Sequence, residues 1–259
     1  MGKNVSVLLT THNKENLIDF VCHGIKDTIS ENVNQVIVVF DGCTDGTEAR
    51  VKDILPYLRS NVKVDYVYTD DVFELRANNA GMKLVENDYV VSIQDDMVIK
   101  EKNFDQRMLQ PFLSFDDVFS VTSFVAHNNI YNKSTGAINY VDVASKDNSS
   151  RDIFYAREYA NRGPIMYDFR DFEKLNYYDD WFAPCSYDDL DICLRAVKEL
   201  NKVSGLYWID YVSKVEWGTS RNKNQQFFQQ QYFTNAKKIY ERYGDMISDK
   251  KIVENRSLK

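Results

Sequence analysis

Long apolar runs are missing from this chain. Nowhere in its 259 residues do eighteen apolar residues follow one another, so no segment is built to cross a bilayer as a helix. Met1-Gly2-Lys3-Asn4 leads straight into a β-type run, without a charged and apolar leader. These absences set the expectation of a cytoplasmic protein and leave only peripheral membrane contact open. Cysteine is scarce. Cys22, Cys43, Cys185 and Cys193 form no CxxC pair, which argues against a structural zinc site and fits a reducing compartment. Cys22 and Cys193 fall in helical patterns and read as small core residues. With 4 prolines and 10 glycines, the chain has no Pro- or Gly-rich linker, and no internal repeat is visible. Positive charge is also in deficit. A formal charge of −7 argues against non-specific nucleic-acid binding, which requires a basic face, and leaves room for a local basic pocket for a nucleotide diphosphate.

What is present is an orderly alternation. A hydrophobic content of 44% supports one well-buried core, or at most two small domains. Val5–Thr10 is a short β-type run. From Asn16 to Ile29, apolar residues at 17, 18, 21, 22, 25 and 29 follow helical spacing. Val36–Phe40 is a continuous apolar strand of the kind buried on both faces of a parallel sheet, and it ends in the glycine-rich turn Asp41-Gly42-Cys43-Thr44-Asp45-Gly46. A helix over 47–58, a strand over 62–68, a helix over 75–86 and a strand over 89–94 follow. This order predicts an α/β fold with a mostly parallel sheet, whose ligands bind at the carboxyl ends of the strands. Thr10, Asp41 and the doublet Asp95-Asp96 sit at those ends. Adjacent carboxylates at a strand end suit a hard divalent cation, Mg²⁺ or Mn²⁺.

The second half is less regular. Residues 104–113 read as a helix and 118–125 as a strand. Residues 127–160 are polar and read as long, mobile loops with short strands. Asp188–Leu200 carries an apolar stripe at Leu190, Cys193, Leu194 and Val197, and 225–243 is a last amphipathic helix with Gly244 as its stop. Phe227, Phe228, Tyr232 and Phe233 lie on that helix, with packing on the core the default. The charged tail, 246–259, is expected to fray.

Taken in order, these segments resemble glycosyltransferase family 2. Val5-Ser6-Val7-Leu8-Leu9-Thr10-Thr11-His12-Asn13 is similar to the family's opening strand with its Thr-Tyr-Asn ending. Val38-Val39-Phe40-Asp41-Gly42-Cys43-Thr44-Asp45-Gly46-Thr47 resembles the Val-Asp-Asp-Gly-Ser-Thr-Asp-Gly-Thr turn. Gln94-Asp95-Asp96-Met97-Val98 stands where the DxD metal motif stands. Asp188-Asp189-Leu190-Asp191-Ile192-Cys193-Leu194-Arg195 resembles Glu-Asp-x-Asp-Leu-x-x-Arg, the segment that carries the catalytic base. Arg162-Gly163-Pro164 and Leu175-Asn176-Tyr177-Tyr178-Asp179-Asp180 are similar to the stretch before it. Three positions depart from the pattern: His12 replaces Tyr, Phe40 replaces an Asp, and Gln94 replaces the first DxD carboxylate. Gln is the weaker metal ligand.

The resemblance implies a GT-A fold, a Rossmann-like three-layer α/β/α arrangement, over residues 1–245. The nucleotide-binding half would be about 1–100 and the acceptor-binding, catalytic half about 101–245. It implies an inverting, metal-dependent transfer from a nucleotide-diphosphate sugar, UDP-linked, to an acceptor hydroxyl of a glycan or polysaccharide. Asp96, with Mn²⁺ or Mg²⁺, would hold the diphosphate, and Glu216 stands where relatives place another metal ligand. Thr10, His12, Asp41, Arg76 and Asp95 would meet the nucleotide. Asp189 would be the general base, with Asp188 orienting the acceptor or the base.

Each role has a plainer alternative. Asp41 before Gly42 suits an Asx-turn, Asp188 and Asp189 suit a helix N-terminus, and Arg76 suits an exposed helix start. Asp191 and Arg195 read first as an intrahelical ion pair. Arg221 and Lys223 could close over the diphosphate or lie in a solvated loop. Trp181, Phe182 and Trp217 are candidate sugar platforms, though core packing is the commoner fate of such rings. Two rival activities remain. A sugar-1-phosphate nucleotidyltransferase would want a Gly-rich loop after the first strand, and Thr11-His12-Asn13-Lys14-Glu15 has no glycine. A carbohydrate-binding relative without catalysis fits the loss at Gln94 but not the retention of Asp189. The donor sugar, the acceptor and the oligomeric state are not legible.

Overall fold

A computed structural model describes residues 4–217, 225–244, 246–247 and 251–258. The chain runs β1 (Val5–Thr11), α1 (Ile18–Thr28), β2 (Val33–Asp41), α2 (Thr47–Ile54), β3 (Lys63–Thr69), α3 (Phe73–Met82), β4 (Tyr89–Gln94), β5 (Val98–Ile99), α4 (Phe104–Ser114), β6 (Val118–Thr122), β7 (Val125–Asn132) and β8 (Ala137–Ser145). It continues through β9 (Ile153–Arg157), β10 (Tyr159–Ala160), β11 (Ile165–Asp168), α5 (Phe169–Lys174), α6 (Asp188–Leu200), β12 (Val203–Leu206), β13 (Tyr211–Val212), α7 (Gln225–Tyr243) and β14 (Glu254–Ser257).

The central sheet has nine strands in the order β14-β9-β12-β6-β11-β4-β1-β2-β3. The block β3-β2-β1-β4 is parallel throughout. Its strands are apolar on both faces because helices cover both. Leu8, Ile37 and Val39 pack with Leu75 and Ala77 of α3, Leu190 and Leu194 of α6, and Ala236 and Ile239 of α7. The alternate residues Val7, Leu9, Val36 and Val38 pack with Val21 and Cys22 of α1, Val51 of α2 and Met108 of α4. The three-layer α/β/α arrangement follows from this period-two alternation.

Register places the strand ends level. Thr10 pairs with Val39 and Gln94, and Asp41 with Thr69. The chain crosses from β3 back over β2 and β1 to add β4, so a crevice opens at the carboxyl ends of β1 and β4, the position where such sheets bind ligands.

Three regions differ from the expectations. The strand expected over 118–125 is two strands, because the chain leaves the central sheet after Thr122 and β7 joins β8 and β10 in a separate sheet. Residues 127–160, expected as long loops with short strands, hold the antiparallel pair β7–β8, strands of 8 and 9 residues. Its polar residues are buried by bonding rather than by apolarity: the Asn128 amide donates to Asp142 and to the Ile252 carbonyl, each at 3.0 Å, and Asn128 Oδ1 accepts from the Glu158 N–H. The tail does not fray over Glu254–Ser257, which pairs antiparallel with β9 and closes that edge of the sheet. Arg256 anchors it with a fork onto Asp117 at 2.6 and 2.8 Å.

Candidate active site

Two cavities meet above the β1–β4 crevice. The first, about 190 Å³, is lined by Thr10, His12, Asp41, Asp95 and Asp96 together with Phe73, Glu74 and Asn78. The second, about 340 Å³, is lined by Asp189 with Tyr140, Tyr159, Asn161, Arg162 and Tyr187. Glu74, Gln94, Cys185 and Phe228 line both, so the two spaces share a wall. Carboxylates more than ninety positions apart in sequence therefore face adjoining space.

The ends of β1 and β2 build the first cavity. Thr10 Oγ1 donates to Asn78 at 2.6 Å, tying β1 to α3. Asp41 is fully buried, and its Oδ1 accepts from Thr69 Oγ1 at 2.7 Å and from the Val72 N–H at 2.8 Å. Asp41 thus fastens the chain that climbs from β3 into α3. Gly42 has φ +60°, and a Cβ there would lie 2.7 Å from Asp71 Cβ, so that turn closes only without a side chain. The His12 ring meets the Asp41 carbonyl at 2.5 Å through Nδ1.

The two carboxylates of the doublet have different fates. Asp95 turns inward: Oδ2 accepts from the His12 N–H at 2.9 Å, and Oδ1 lies 3.7 Å from Lys14 Nζ. Burial lifts its carboxyl to about 6 against the pull of Lys14. Asp96 has a buried oxygen, Oδ1, with no hydrogen-bond partner among the described residues. Burial raises its pKa too, with Lys14 opposing and the charge of Glu74 adding to the rise. A buried carboxylate oxygen left unpaired in a cleft is the chemistry a hard cation completes, so Asp96 fits that role. No group of three or more Asp, Glu, His or Cys is set to hold a metal among the described residues, and diphosphate oxygens would have to complete a shell there.

The second cavity is built on the start of α6. Ser186 and Tyr187, with φ of 76° and 67°, turn the chain sharply into the helix, a backbone strain that needs support from its surroundings. Asp189 is 6% exposed. Its Oδ2 accepts from the Tyr159 hydroxyl at 2.6 Å and the Arg162 N–H at 3.3 Å, and its Oδ1 from the Leu190 N–H at 3.0 Å. These donors fix the carboxylate at the cavity wall. Asp188 lies beneath, fully buried, and does not line the cavity. Arg162 grips it at 2.8 and 3.1 Å. Burial pushes the Asp188 carboxyl up while Arg162 pulls it down. Burial works against the charge of Arg162, but Asp188, Glu74 and Asp189 outweigh it and hold Arg162 firmly protonated. Of the two roles expected for Asp188, orienting the acceptor or orienting the base, its absence from the cavity lining leaves no direct path to an acceptor, and within the protein Asp188 is the counter-ion of Arg162.

Other expected residues lie elsewhere. Glu216 lines a separate cavity with Asn13, Lys14, Glu15 and Asp45, not the one that holds Asp96. Lys14 stands between the two, its ammonium meeting Asp95 on one side and the Trp217 carbonyl on the other. Arg76 points away from the first cavity into another, 3.3 Å from Asp180, because it falls on the opposite face of α3 from Asn78. None of the expected sugar platforms reaches either cavity. Phe182 is buried in the core, Trp181 is exposed with Lys238 and Arg242 over its ring, and Trp217 lines the cavity of Glu216. Arg221 and Lys223 lie outside the described residues. The rings actually present, Phe73, Phe228, Tyr140, Tyr159, Tyr187 and Tyr232, come from five segments. Phe228 and Tyr232 fall four apart on α7, the helix read from the sequence, and no local periodicity marks the other four.

The model of the family described as "Glycosyl transferase family 2" matches residues 6–191. The chain belongs to that family. No curated protein matches this family 2 chain in sequence. Solved structures share its fold. The mannosyltransferase PcManGT from Pyrobaculum calidifontis, in complex with GDP-Man and Mn²⁺, is 14% identical with a TM-score of 0.61, over 92% of this chain and 65% of that one. GalNAc-T7 with UDP, GalNAc and Mn²⁺ is 9% identical with a TM-score of 0.63, over 79% and 42%. S. aureus TarS is 18% identical with a TM-score of 0.55, over 82% and 37%. The family 2 chain thus spans between about a third and two thirds of the length of these structures, and it shares their GT-A fold. No helix among its described residues is long and apolar enough to cross a membrane.

Proposed function

We propose that this family 2 protein transfers a sugar from a nucleotide-diphosphate sugar, UDP-linked, to an acceptor hydroxyl with inversion at the anomeric carbon. The observation that carries the reading is the shared wall of Glu74, Gln94, Cys185 and Phe228 between the Asp96 cavity and the Asp189 cavity. A donor lying across it puts its diphosphate beside Asp96 and its sugar beside Asp189. The acceptor hydroxyl oxygen bonds to the anomeric carbon as the carbon–oxygen bond to the diphosphate breaks. The hydroxyl proton passes to Asp189, and the nucleoside diphosphate leaves with the bonding electrons. Tyr159, the Arg162 N–H and the Leu190 N–H hold the carboxylate still for that transfer. A divalent cation at Asp96 would supply charge neutralisation on the departing diphosphate. TarS structures hold UDP or UDP-GlcNAc and the GalNAc-T7 structure holds UDP, whereas PcManGT holds GDP-Man, so uridine is the base to test first and guanine the alternative.

Thermal unfolding with Mn²⁺ across a panel of UDP- and GDP-sugars identifies the donor, since a bound ligand raises Tm. With that donor and a glycan acceptor, the wild type releases free UDP. Asp189→Asn keeps donor affinity by calorimetry and loses roughly 10²–10⁴-fold in kcat, the usual contribution of a general base. Full turnover by Asp189→Asn would remove the base assignment.

A further inference from the structure

We propose that Glu74, in the first turn of α3, supplies the second carboxylate of the divalent-cation site in place of the one that Gln94 lacks. The inference rests on the donor-and-cation reading above and adds to it a ligand from a different element. Hard divalent cations bound with nucleotides commonly use one or two protein carboxylates, and phosphate oxygens complete the shell. Gln94 ends β4 with a neutral amide, so the doublet alone must provide the anionic oxygens. Asp95 is badly placed to do so, with one oxygen on the His12 N–H and the other facing the Lys14 ammonium. Glu74 lines the same cavity as Asp96.

The amide at position 94 holds Glu74 in place: Gln94 Nε2 donates to Glu74 Oε1 at 2.7 Å. Arg162 Nε lies 3.5 Å from the same oxygen. Both contacts engage Oε1, and the Glu74 side chain stays one-third exposed on the wall of the cavity. Asp96 Oδ1 has no hydrogen-bond partner among the described residues. Arg162 offsets part of the Glu74 charge through Nε, while its terminal nitrogens are engaged with Asp188. The preceding residue, Phe73, has φ +67°, so the chain enters α3 through a strained turn that delivers Glu74 to the cavity. The residue that replaced a carboxylate therefore recruits one from the neighbouring helix.

The test is Mn²⁺ binding by the full chain with UDP present, read by electron paramagnetic resonance. Thermal unfolding without metal confirms that each variant folds. Glu74→Gln and Asp96→Asn should each weaken Mn²⁺ binding by about 10-fold or more. The double change Glu74→Gln with Gln94→Glu should restore most of it, because a carboxylate returns to the same corner. Wild-type Mn²⁺ affinity in Glu74→Gln, with loss in Asp96→Asn, overturns the role of Glu74 and leaves the donor reading intact. Wild-type affinity in Asp96→Asn overturns the donor-and-cation reading itself. A loss in Glu74→Gln that Gln94→Glu fails to restore makes Glu74 a structural brace only and also overturns the inference.

Discussion

His127 shows how one residue couples stability to the site. It is 1% exposed, stacked on Tyr140 with centroids 4.0 Å apart and edge-on to Tyr159 at 4.6 Å, and Tyr159 hydrogen-bonds the Asp189 carboxylate. Burial lowers its pKa to about 4. An imidazole in the unfolded chain takes its proton near pH 6.5. Between these values the unfolded state binds more protons, so the stability due to neutral His127 is present above pH 6.5 and lost as pH falls towards 4. Asp95, raised to about 6, works in the opposite sense, because its protonated folded form is favoured at low pH. Comparing wild type with His127→Phe removes that common background. From about pH 7 to about pH 5, the wild type should lose on the order of 2 kcal/mol more unfolding free energy in urea than the variant. Equal losses would show that His127 takes up its proton as readily in the folded protein as in the unfolded chain. Nothing in the polar run around it marks His127 in sequence. Its burial is set by rings from β8 and β10.

At the scale of elements, α3 is tied to β1 through Asn78 and to β4 through Glu74, and its packing is tight. A Cβ at Gly81 would lie 2.4 Å from Leu8 Cδ1 and 2.7 Å from Val39 Cγ2, two side chains that are themselves fully buried. Helix propensity alone would favour Gly81→Ala by about 1 kcal/mol. Overpacking against an immobile sheet costs about 1–3 kcal/mol and should win. Gly81→Ala should therefore lower the urea midpoint without changing the slope, and a raised midpoint would show that α3 can lift off the sheet. The α6–α7 contact shows how far local reading goes. The i,i+4 pair of Asp191 and Arg195 is present at 2.8 Å, as the spacing suggests. Asp191 also binds Arg242 at 2.8 Å and the Tyr243 hydroxyl at 2.6 Å. Those contacts turn a helix-surface pair into the clamp that seats α7, and α7 carries Phe228 to the wall shared by both cavities.

The tail matters for the whole molecule. β14 covers the edge of β9, Ile252 and Leu258 pack against the cluster around Phe154, and Arg256 forks onto Asp117 beside β6. Deleting residues 251–259 would bare a strand edge and leave that apolar cluster wet. Thermal unfolding should show a Tm lower by roughly 5 °C, as a loss of about 2 kcal/mol predicts for a chain of this size. An unchanged Tm would mean that the strand contributes nothing to the folded state. The same tail read as frayed from its charge because alternation over four residues is too short to register.

The parallel block, its helices and the carboxylates at its strand ends were determined by the sequence alone. Hydrophobic period and turn residues are local, and a run such as Val36–Phe40 has few ways to be buried. Tertiary structure decided the rest: that Asp41 fastens a loop, that Asp188 serves Arg162, that Arg76 and Glu216 face other cavities, and that Glu74 stands beside Gln94. Each of those outcomes depends on the rotation of a helix about its axis or on contacts across 20 to more than 100 positions of chain. Such contacts arise only when strand register and crossover have placed the elements, and no pattern within one element encodes them.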